Sequence, residues 1–133
     1  MDKSKIFITD NNEIDNIISE HMIKASGFKG EFIFENDTLA AIAHLKQLSG
    51  DPTKFPSLII TNLAKPHMSG FDFIAAISEL EEIEQGKCLV AIVSSAAHRD
   101  GNPAYAAKFS CVKFVEQKPI STELGRRLIH HML

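Results

Sequence analysis

The sequence predicts an α/β domain built on a parallel sheet of five strands. Short apolar runs alternate along the chain with segments whose apolar residues recur at helical spacing. This alternation is typical of parallel sheets, because each helix carries the chain back to the start of the next strand. The predicted strands are Ile6-Phe7-Ile8, Phe32-Ile33-Phe34, Leu58-Ile59-Ile60, Leu89-Val90-Ala91-Ile92-Val93 and Val112-Lys113-Phe114-Val115.

The first predicted helix has the clearest pattern. Asn12 can cap its N-terminus and Gly27 can end it. Its apolar residues fall on one stripe, which places His21 in the core or at the boundary of the core. The stripe consists of Ile14, Ile17, Ile18, His21, Met22 and Ala25.

The remaining helices have weaker but consistent patterns. The fourth is short, with Asn102 as N-cap, Pro103 in the first helical position and about two turns through Phe109. The fifth follows a cap at Ser121 or Thr122. The apolar positions are Leu39, Ile42 and Leu45 in the second helix, Phe73, Ile74, Ile77 and Leu80 in the third, and Leu124, Leu128 and Met132 in the fifth.

Length and composition indicate one globular domain. The 133 residues are 44% hydrophobic and 23% charged, so we expect a single domain over residues 1–133 with no output domain. The formal net charge is -3, from 14 basic and 17 acidic residues, which argues against a nucleic-acid partner. No apolar stretch approaches the roughly 18 residues of a membrane span, and no secretion signal opens the sequence. We therefore expect a cytoplasmic protein with no membrane contact.

Patterns that would indicate an enzyme or a zinc site are missing from the sequence. Cys88 and Cys111 form no Cys-x-x-Cys pair, so we expect reduced, part-buried thiols and no zinc. No Gly-x-Gly-x-x-Gly or Walker loop follows the first strand, and no Gly-x-Ser-x-Gly elbow surrounds Ser94. The sequence thus predicts no enzyme.

Polar residues follow four of the predicted strands. Asp10 follows the first, Asn62 the third, Ser94 the fourth and Lys118 the fifth. In a doubly wound parallel sheet the carboxyl ends of the strands form the ligand crevice, so these side chains are expected to converge. An acid, an amide, a hydroxyl and a cation together are typical of a phosphate-binding site that lacks a phosphoacceptor.

At these strand ends the chain resembles a known family, the receiver domains of two-component response regulators. The resemblance covers nearly the whole chain and implies the CheY-like, flavodoxin-like fold, with strand order 2-1-3-4-5 and helices on both faces of the sheet. The segments that carry it are Ile8-Thr9-Asp10-Asn11-Asn12-Glu13, Asn62-Leu63-Ala64-Lys65-Pro66-His67-Met68-Ser69-Gly70, Val93-Ser94-Ser95 and Lys118-Pro119.

The resemblance also implies which residues of the phosphorylation site are present. In such receivers an acidic pair after strand one and an aspartate after strand three hold Mg²⁺, and a histidine kinase phosphorylates that aspartate. Asp10 matches the first acid, whereas Asn11 replaces the second and Asn62 replaces the phosphoacceptor. Ser94 and Lys118 match the residues that bind the phosphoryl group. Because an amide oxygen is a poor nucleophile, Asn62 is not expected to accept phosphate.

The loss of two acids also predicts weak or absent metal binding. The family pattern carries a charge of roughly minus two, whereas Asp10 with Lys118 carries about zero, and Mg²⁺ is usually bound through carboxylates. We expect no other cofactor. Without a metal, Lys118 is expected to turn to Asp10 or to the side-chain oxygen of Asn62.

These observations lead to one functional hypothesis and two alternatives. We hypothesise a receiver-like domain of phosphorelay signal transduction that acts by protein-protein contact without aspartyl phosphorylation. One alternative is a conventional receiver whose acceptor was mutated or lies elsewhere in the chain. The other is a flavodoxin-like small-molecule binder, since fold alone does not determine function.

The resemblance implies protein partners, including a histidine kinase, and a homodimer through the fourth helix, fifth strand and fifth helix. Receivers also use a switch aromatic on strand five. Either Phe114 or Val115 matches that position, since Gln117 makes the number of residues ahead of Lys118 ambiguous. The charged residues outside the site are expected to be solvated. They include Lys108, Lys113, Arg126 and Arg127 on the proposed dimer surface, and Glu79, Glu81, Glu82 and Glu84 at the end of the third helix.

Overall fold

The computed structural model describes residues 4–10, 12–62, 70–94 and 109–132 and contains a five-stranded parallel sheet in the order β2-β1-β3-β4-β5. This confirms the predicted sheet and its strand order. The strands are β1 (Lys5–Thr9), β2 (Glu31–Glu35), β3 (Leu58–Thr61), β4 (Leu89–Ser94) and β5 (Val112–Gln117). The helices are α1 (Glu13–Ala25), α2 (Thr38–Leu48), α3 (Gly70–Ile77), α4 (Glu81–Glu84) and α5 (Thr122–Met132). The predicted fourth helix, apart from Phe109, lies outside the described residues.

Two hydrophobic clusters lie on opposite faces of the sheet, which confirms helices on both sides. One cluster joins Phe7 and Ile59 to α2 and α3, and the other joins Ile8 and Ile60 to α1 and α5. Alternate residues of a strand point to opposite faces, so β1 and β3 contribute to both clusters. Within the described residues no helix is long and apolar enough to cross a membrane.

Helix α1 begins and ends where the sequence predicts, but the direction of its apolar stripe was predicted wrongly. The Asn12 side chain accepts a hydrogen bond from the Asp15 amide at 3.1 Å, and Gly27 has a φ of 109° after the last turn. His21 is exposed rather than buried, and the isoleucines near it are exposed as well. The exposed fractions are 68% for Ile14, 65% for Ile17 and 38% for Ile18.

Polar contacts explain the orientation of α1. Asn16, only 6% exposed, donates through Nδ2 to the Asp10 carbonyl oxygen at 3.1 Å. At the other end of the helix, the Ser26 hydroxyl lies within hydrogen-bond distance of two carbonyl oxygens, that of Met22 at 2.8 Å and that of Thr122 at 3.0 Å, close to Gly125 of α5. A buried polar group is costly without partners, so these bonds hold Asn16 and Ser26 on the inward side with the buried Ile23 and leave Ile14, Ile17 and Ile18 outside.

The segment after α3 differs from the prediction in two respects. The third helix ends at Ile77 rather than continuing to Leu80, which instead precedes the single turn of α4. The prediction that Glu82 is solvated was wrong, because its side chain is only 4% exposed. Its carboxylate accepts hydrogen bonds from the Ser49 hydroxyl and the Gly50 amide, both at 2.7 Å. The Glu82 carboxylate therefore provides hydrogen-bond acceptors for the polar groups of the turn that follows α2.

The two thiols are free, as predicted, and more deeply buried than the sequence indicates. Cys88 is 0% exposed and Cys111 is 7% exposed. Burial raises the pKa of the Cys88 thiol well above its ordinary value. Such thiols behave as small hydrophobic side chains.

Candidate functional site at the strand ends

The carboxyl ends of β1, β3, β4 and β5 bring the predicted site residues to one edge of the sheet. Thr9 is in register with Thr61, so Asp10 and Asn62 follow neighbouring strands at the same level. Ser94 is in register with Gln117, which places Lys118 one residue beyond the end of β4. Asp10 and Asn62 are 6% and 5% exposed. Asn11 and the side chain of Ser94 lie outside the part of the chain that the structure describes.

Lys118 is bound by two carboxylates. Its Nζ lies 2.7 Å from Asp10 Oδ2 and 2.7 Å from Asp15 Oδ2. The contact with Asp10 confirms one of the two partners expected from the sequence. Partial burial alone would lower the pKa of Lys118, but the hydrogen bonds and charges of Asp10 and Asp15 outweigh burial and raise the pKa above its ordinary value of 10.5. The ammonium group therefore stays charged at neutral pH.

Asp15 was missed by the sequence reasoning. It lies in the first turn of α1, three residues after the Asn12 cap, and 103 residues before Lys118 in the chain. An acid in the first helical turn is common because it interacts favourably with the helix dipole, so the pattern alone does not single it out. A usable signal is the position of this turn directly after Asp10, because both then lie above the same edge of the sheet.

Both side-chain oxygens of Asp10 have partners within the protein. While Oδ2 contacts Lys118, Oδ1 accepts a hydrogen bond from the Asn12 amide at 3.0 Å. Its backbone carbonyl accepts the bond from Asn16 that orients α1. Asp10 thus links the strand-end site to the polar face of α1.

Asn62 presents an uncharged amide at the end of the central strand β3. Its Oδ1 is buried and has no hydrogen-bond partner among the described residues. A nearby cavity of about 10 Å³ is lined in part by Asp10, Thr61 and Lys118. This volume is at the lower limit for one water molecule.

The described residues do not fit a magnesium ion. Asp10, Asp15 and Lys118 carry a net charge of about minus one, and both oxygens of Asp10 are engaged by the protein itself. No group of three or more His, Cys, Asp or Glu residues that could hold a metal occurs within the described ranges. Weak or absent metal binding in solution stays a prediction.

The two candidates for a switch aromatic position lie on opposite faces of β5. Phe114 is 5% exposed and lies on the α5 side. The centroid of its ring is 5.0 Å from the centroid of the His131 ring and 5.4 Å from Cζ of Arg127. Val115 packs against the other cluster. An irregularity between Val90 and Ala91 shifts the β4–β5 register ahead of these residues. The role of either residue as a switch stays a prediction.

The fold is similar to several solved structures, although sequence identity is low. A two-component response regulator from Cytophaga hutchinsonii superposes with a TM-score of 0.80 at 20% identity, covering 97% of this chain and 96% of that one. A response regulator receiver protein from Dyadobacter fermentans superposes with a TM-score of 0.77 at 23% identity, covering 97% of both chains. A two-component response regulator from Legionella pneumophila superposes with a TM-score of 0.79 at 15% identity, also covering 97% of both chains.

No protein-family model matches the chain, and no curated protein gives a significant match. Together with the strand order and the residues at the strand ends, the structural similarities show that this chain has the response-regulator receiver fold, CheY-like and flavodoxin-like.

Proposed function

We propose that this chain is a receiver-fold module of two-component signalling that acts by protein contact without aspartyl phosphorylation. The observation that carries the proposal is Asn62, which occupies the end of β3 where a phosphoacceptor would need a carboxylate. Its amide nitrogen lone pair is delocalised and its oxygen is a weak nucleophile, so attack on phosphorus is not expected.

The contacts of Lys118 support the same proposal. A lysine that binds an incoming phosphoryl group must be able to leave its resting partners. Here the ammonium is held by Asp10 and Asp15 at 2.7 Å each, and the side chain is only 21% exposed. Charge-assisted hydrogen bonds of this length are among the stronger polar contacts in proteins. Lys118 is therefore held by partners within the chain, and the site favours one conformation.

The proposal assigns the chain a cytoplasmic signalling partner, such as a histidine kinase, and no catalytic residue. Receiver domains act by presenting a surface to another protein, and Asp10, the carboxylate that lines the cavity at the strand ends, is engaged by Lys118 and the Asn12 amide. The surface, rather than the strand-end site, then carries the function.

Treatment with acetyl phosphate and Mg²⁺ followed by intact mass measurement tests the proposal. We expect no gain of mass in the natural chain. The double variant Asn11→Asp with Asn62→Asp, which restores three carboxylates, is the positive control and should take up one phosphoryl group. A stoichiometric adduct on the natural chain, stable in acid and labile in base, would contradict the proposal and favour a conventional receiver with its acceptor elsewhere.

A further inference from the structure

A groove between α1 and the edge strand β2 is separate from the cavity at the strand ends. Its volume of about 270 Å³ is near the lower end of the range for small-molecule sites. Apolar walls come from Ile17 and Phe34, which are 65% and 38% exposed. No basic side chain is among the described residues that line the groove. Its polar lining consists of two acids and two amides, Glu13, Glu20, Asn16 and Asn36.

The side-chain amide of Asn16 has an acceptor without a partner. The residue is only 6% exposed, and its Oδ1 has no hydrogen-bond partner among the described residues. Both hydrogens of Nδ2 are used, because this atom donates to the Asp10 carbonyl oxygen at 3.1 Å and to Asn36 Oδ1 at 3.2 Å. These two bonds fix the orientation of the amide. A buried polar atom without a partner is costly, so a donor that enters the groove would be bound favourably beside Asn16.

The two carboxylates of the groove also have capacity left to accept hydrogen bonds. Among the described residues, Glu13 has no ion-pair partner, and its Oε1 accepts from Asn36 Nδ2 at the long distance of 3.4 Å. Glu20 pairs with Lys24 through Oε2 at 2.9 Å, which leaves its other oxygen available. Two acids and one lysine give this region a net charge of about minus one. The groove therefore favours a ligand that brings hydrogen-bond donors and one positive charge.

We propose that this groove binds a small organic cation, in which a guanidinium or primary ammonium group is carried on a short alkyl stem. The cationic group donates to the Glu13 carboxylate and to the unpartnered oxygen of Asn16. The stem packs on Ile17 and Phe34, which removes exposed apolar surface from water. An anion is disfavoured by the two acids of the lining. The inference goes beyond the proposed function and does not depend on it, since the ligand is not a protein and the strand-end site takes no part.

Titration with n-butylguanidinium chloride, followed by two-dimensional NMR at matched ionic strength, provides the test. The natural chain should show saturable shifts of the backbone amide signals of residues 13–20 and 34–36, with a dissociation constant in the millimolar range or below. The control ligand is n-butylurea, which has the same shape and no charge. It should bind about tenfold more weakly, because the carboxylate then accepts from a neutral donor. Equal binding of the two ligands would overturn the inference.

Two variants test the residues that line the groove. Glu13→Gln keeps the shape of the side chain and removes its charge, so binding should weaken about tenfold. Phe34→Ala removes one apolar wall and should weaken binding about threefold. The matched control is Glu123→Gln, which changes an exposed acid in the first turn of α5 and should alter binding by less than about twofold. Glu13 and Phe34 are also exposed, so these variants are expected to fold, and the NMR spectrum of each free variant checks this.

Other outcomes would also overturn the inference. They are shifts that do not saturate by about 20 mM n-butylguanidinium, and equal weakening by Glu13→Gln and Glu123→Gln. Tighter binding of the capped peptide acetyl-Ala-Arg-Ala-amide would assign the groove to an arginine side chain of a protein and contradict a small free ligand. The titration contains no phosphate donor, so its result is independent of phosphoryl uptake. A chain that binds the cation and accepts phosphate contradicts the proposed function alone, and a chain that does neither contradicts the inference alone.

Discussion

The strand-end site and the outer face of α1 show opposite departures from the usual distribution of polarity. At the strand ends, charged and amide groups are nearly buried, with Asp10 6% and Asn62 5% exposed. On the outer face of α1, Ile14 and Ile17 are about two-thirds exposed, at 68% and 65%. The difference shows that the contacts that orient α1 determine the burial of side chains in both regions. Helix α1 turns Asn16 and Asp15 toward Asp10 and Lys118, and Ile14, Ile17 and Ile18 are consequently left outside.

The largest expected effect comes from removing the acid that links the two regions. Asp10→Ala deletes one partner of Lys118 and the acceptor of the Asn12 amide bond, and it leaves the surrounding polar groups part-buried. We expect a loss of about 3 kcal/mol in the free energy of unfolding, measured by urea denaturation. A loss below about 1 kcal/mol would show that the strand-end contacts do not orient α1.

A smaller effect is expected from removing the cation. Lys118→Met leaves Asp10 and Asp15 facing each other without a counter-charge and should cost about 2 kcal/mol at neutral pH. Because the folded pKa of Lys118 is raised, its stabilisation is complete below the unfolded pKa of 10.5 and is lost as pH rises through the folded pKa. Denaturation curves of both proteins should therefore converge at alkaline pH. A difference that stays constant to the highest pH would contradict the ion pair.

Glu82 tests whether buried acids outside the site follow the same rule. Burial alone would raise its pKa, but the hydrogen bonds from Ser49 and Gly50 outweigh burial and lower the pKa below its ordinary value of 4.5. The stabilisation is thus present above the unfolded pKa and lost as pH falls through the folded pKa. Glu82→Gln should cost about 1 kcal/mol at neutral pH, with no difference in strong acid. Equal stability at pH 7 would show that the carboxylate is not needed.

The smallest effect should come from the exposed face. Ile17→Ala removes a side chain that is 65% exposed, so at low protein concentration the free energy of unfolding should change by less than about 0.5 kcal/mol. Ile23→Ala is the matched control on the buried side of the same helix, at 0% exposed, and should cost about 2 to 4 kcal/mol. Similar losses for both variants would mean that α1 is oriented differently.

Most of the framework could be predicted from the sequence because it depends on local patterns. Apolar runs locate the strands, Asn12 and Gly27 bound α1, and the ends of the strands identify Asp10, Asn62 and Lys118. The strand order followed from resemblance, since spacing alone does not determine which strands pair. That Asn62 lacks a nucleophilic carboxylate could be predicted from the residue type alone, because it follows from the chemistry of an amide.

The errors have a common physical cause, which is that local patterns carry no information about long-range polar contacts. Periodicity shows that Ile14, Ile17 and Ile18 share one face, but the bonds made by Asn16 and Ser26 decide which face points inward. A run of acids usually lies in solvent, yet Glu82 is drawn inward by donors 32 and 33 residues away. The contact between Asp15 and Lys118 depends on residues that are separated by almost the whole chain.

The most direct test of the account follows backbone amide resonances at the strand-end site by two-dimensional NMR. Acetyl phosphate and Mg²⁺ are added to the natural chain and to the Asn11→Asp, Asn62→Asp double variant. The account predicts that the amide signals of residues 10, 62 and 118 stay in place in the natural chain and shift in the double variant. Shifts of the same signals in the natural chain would contradict a site that is closed by its own lysine.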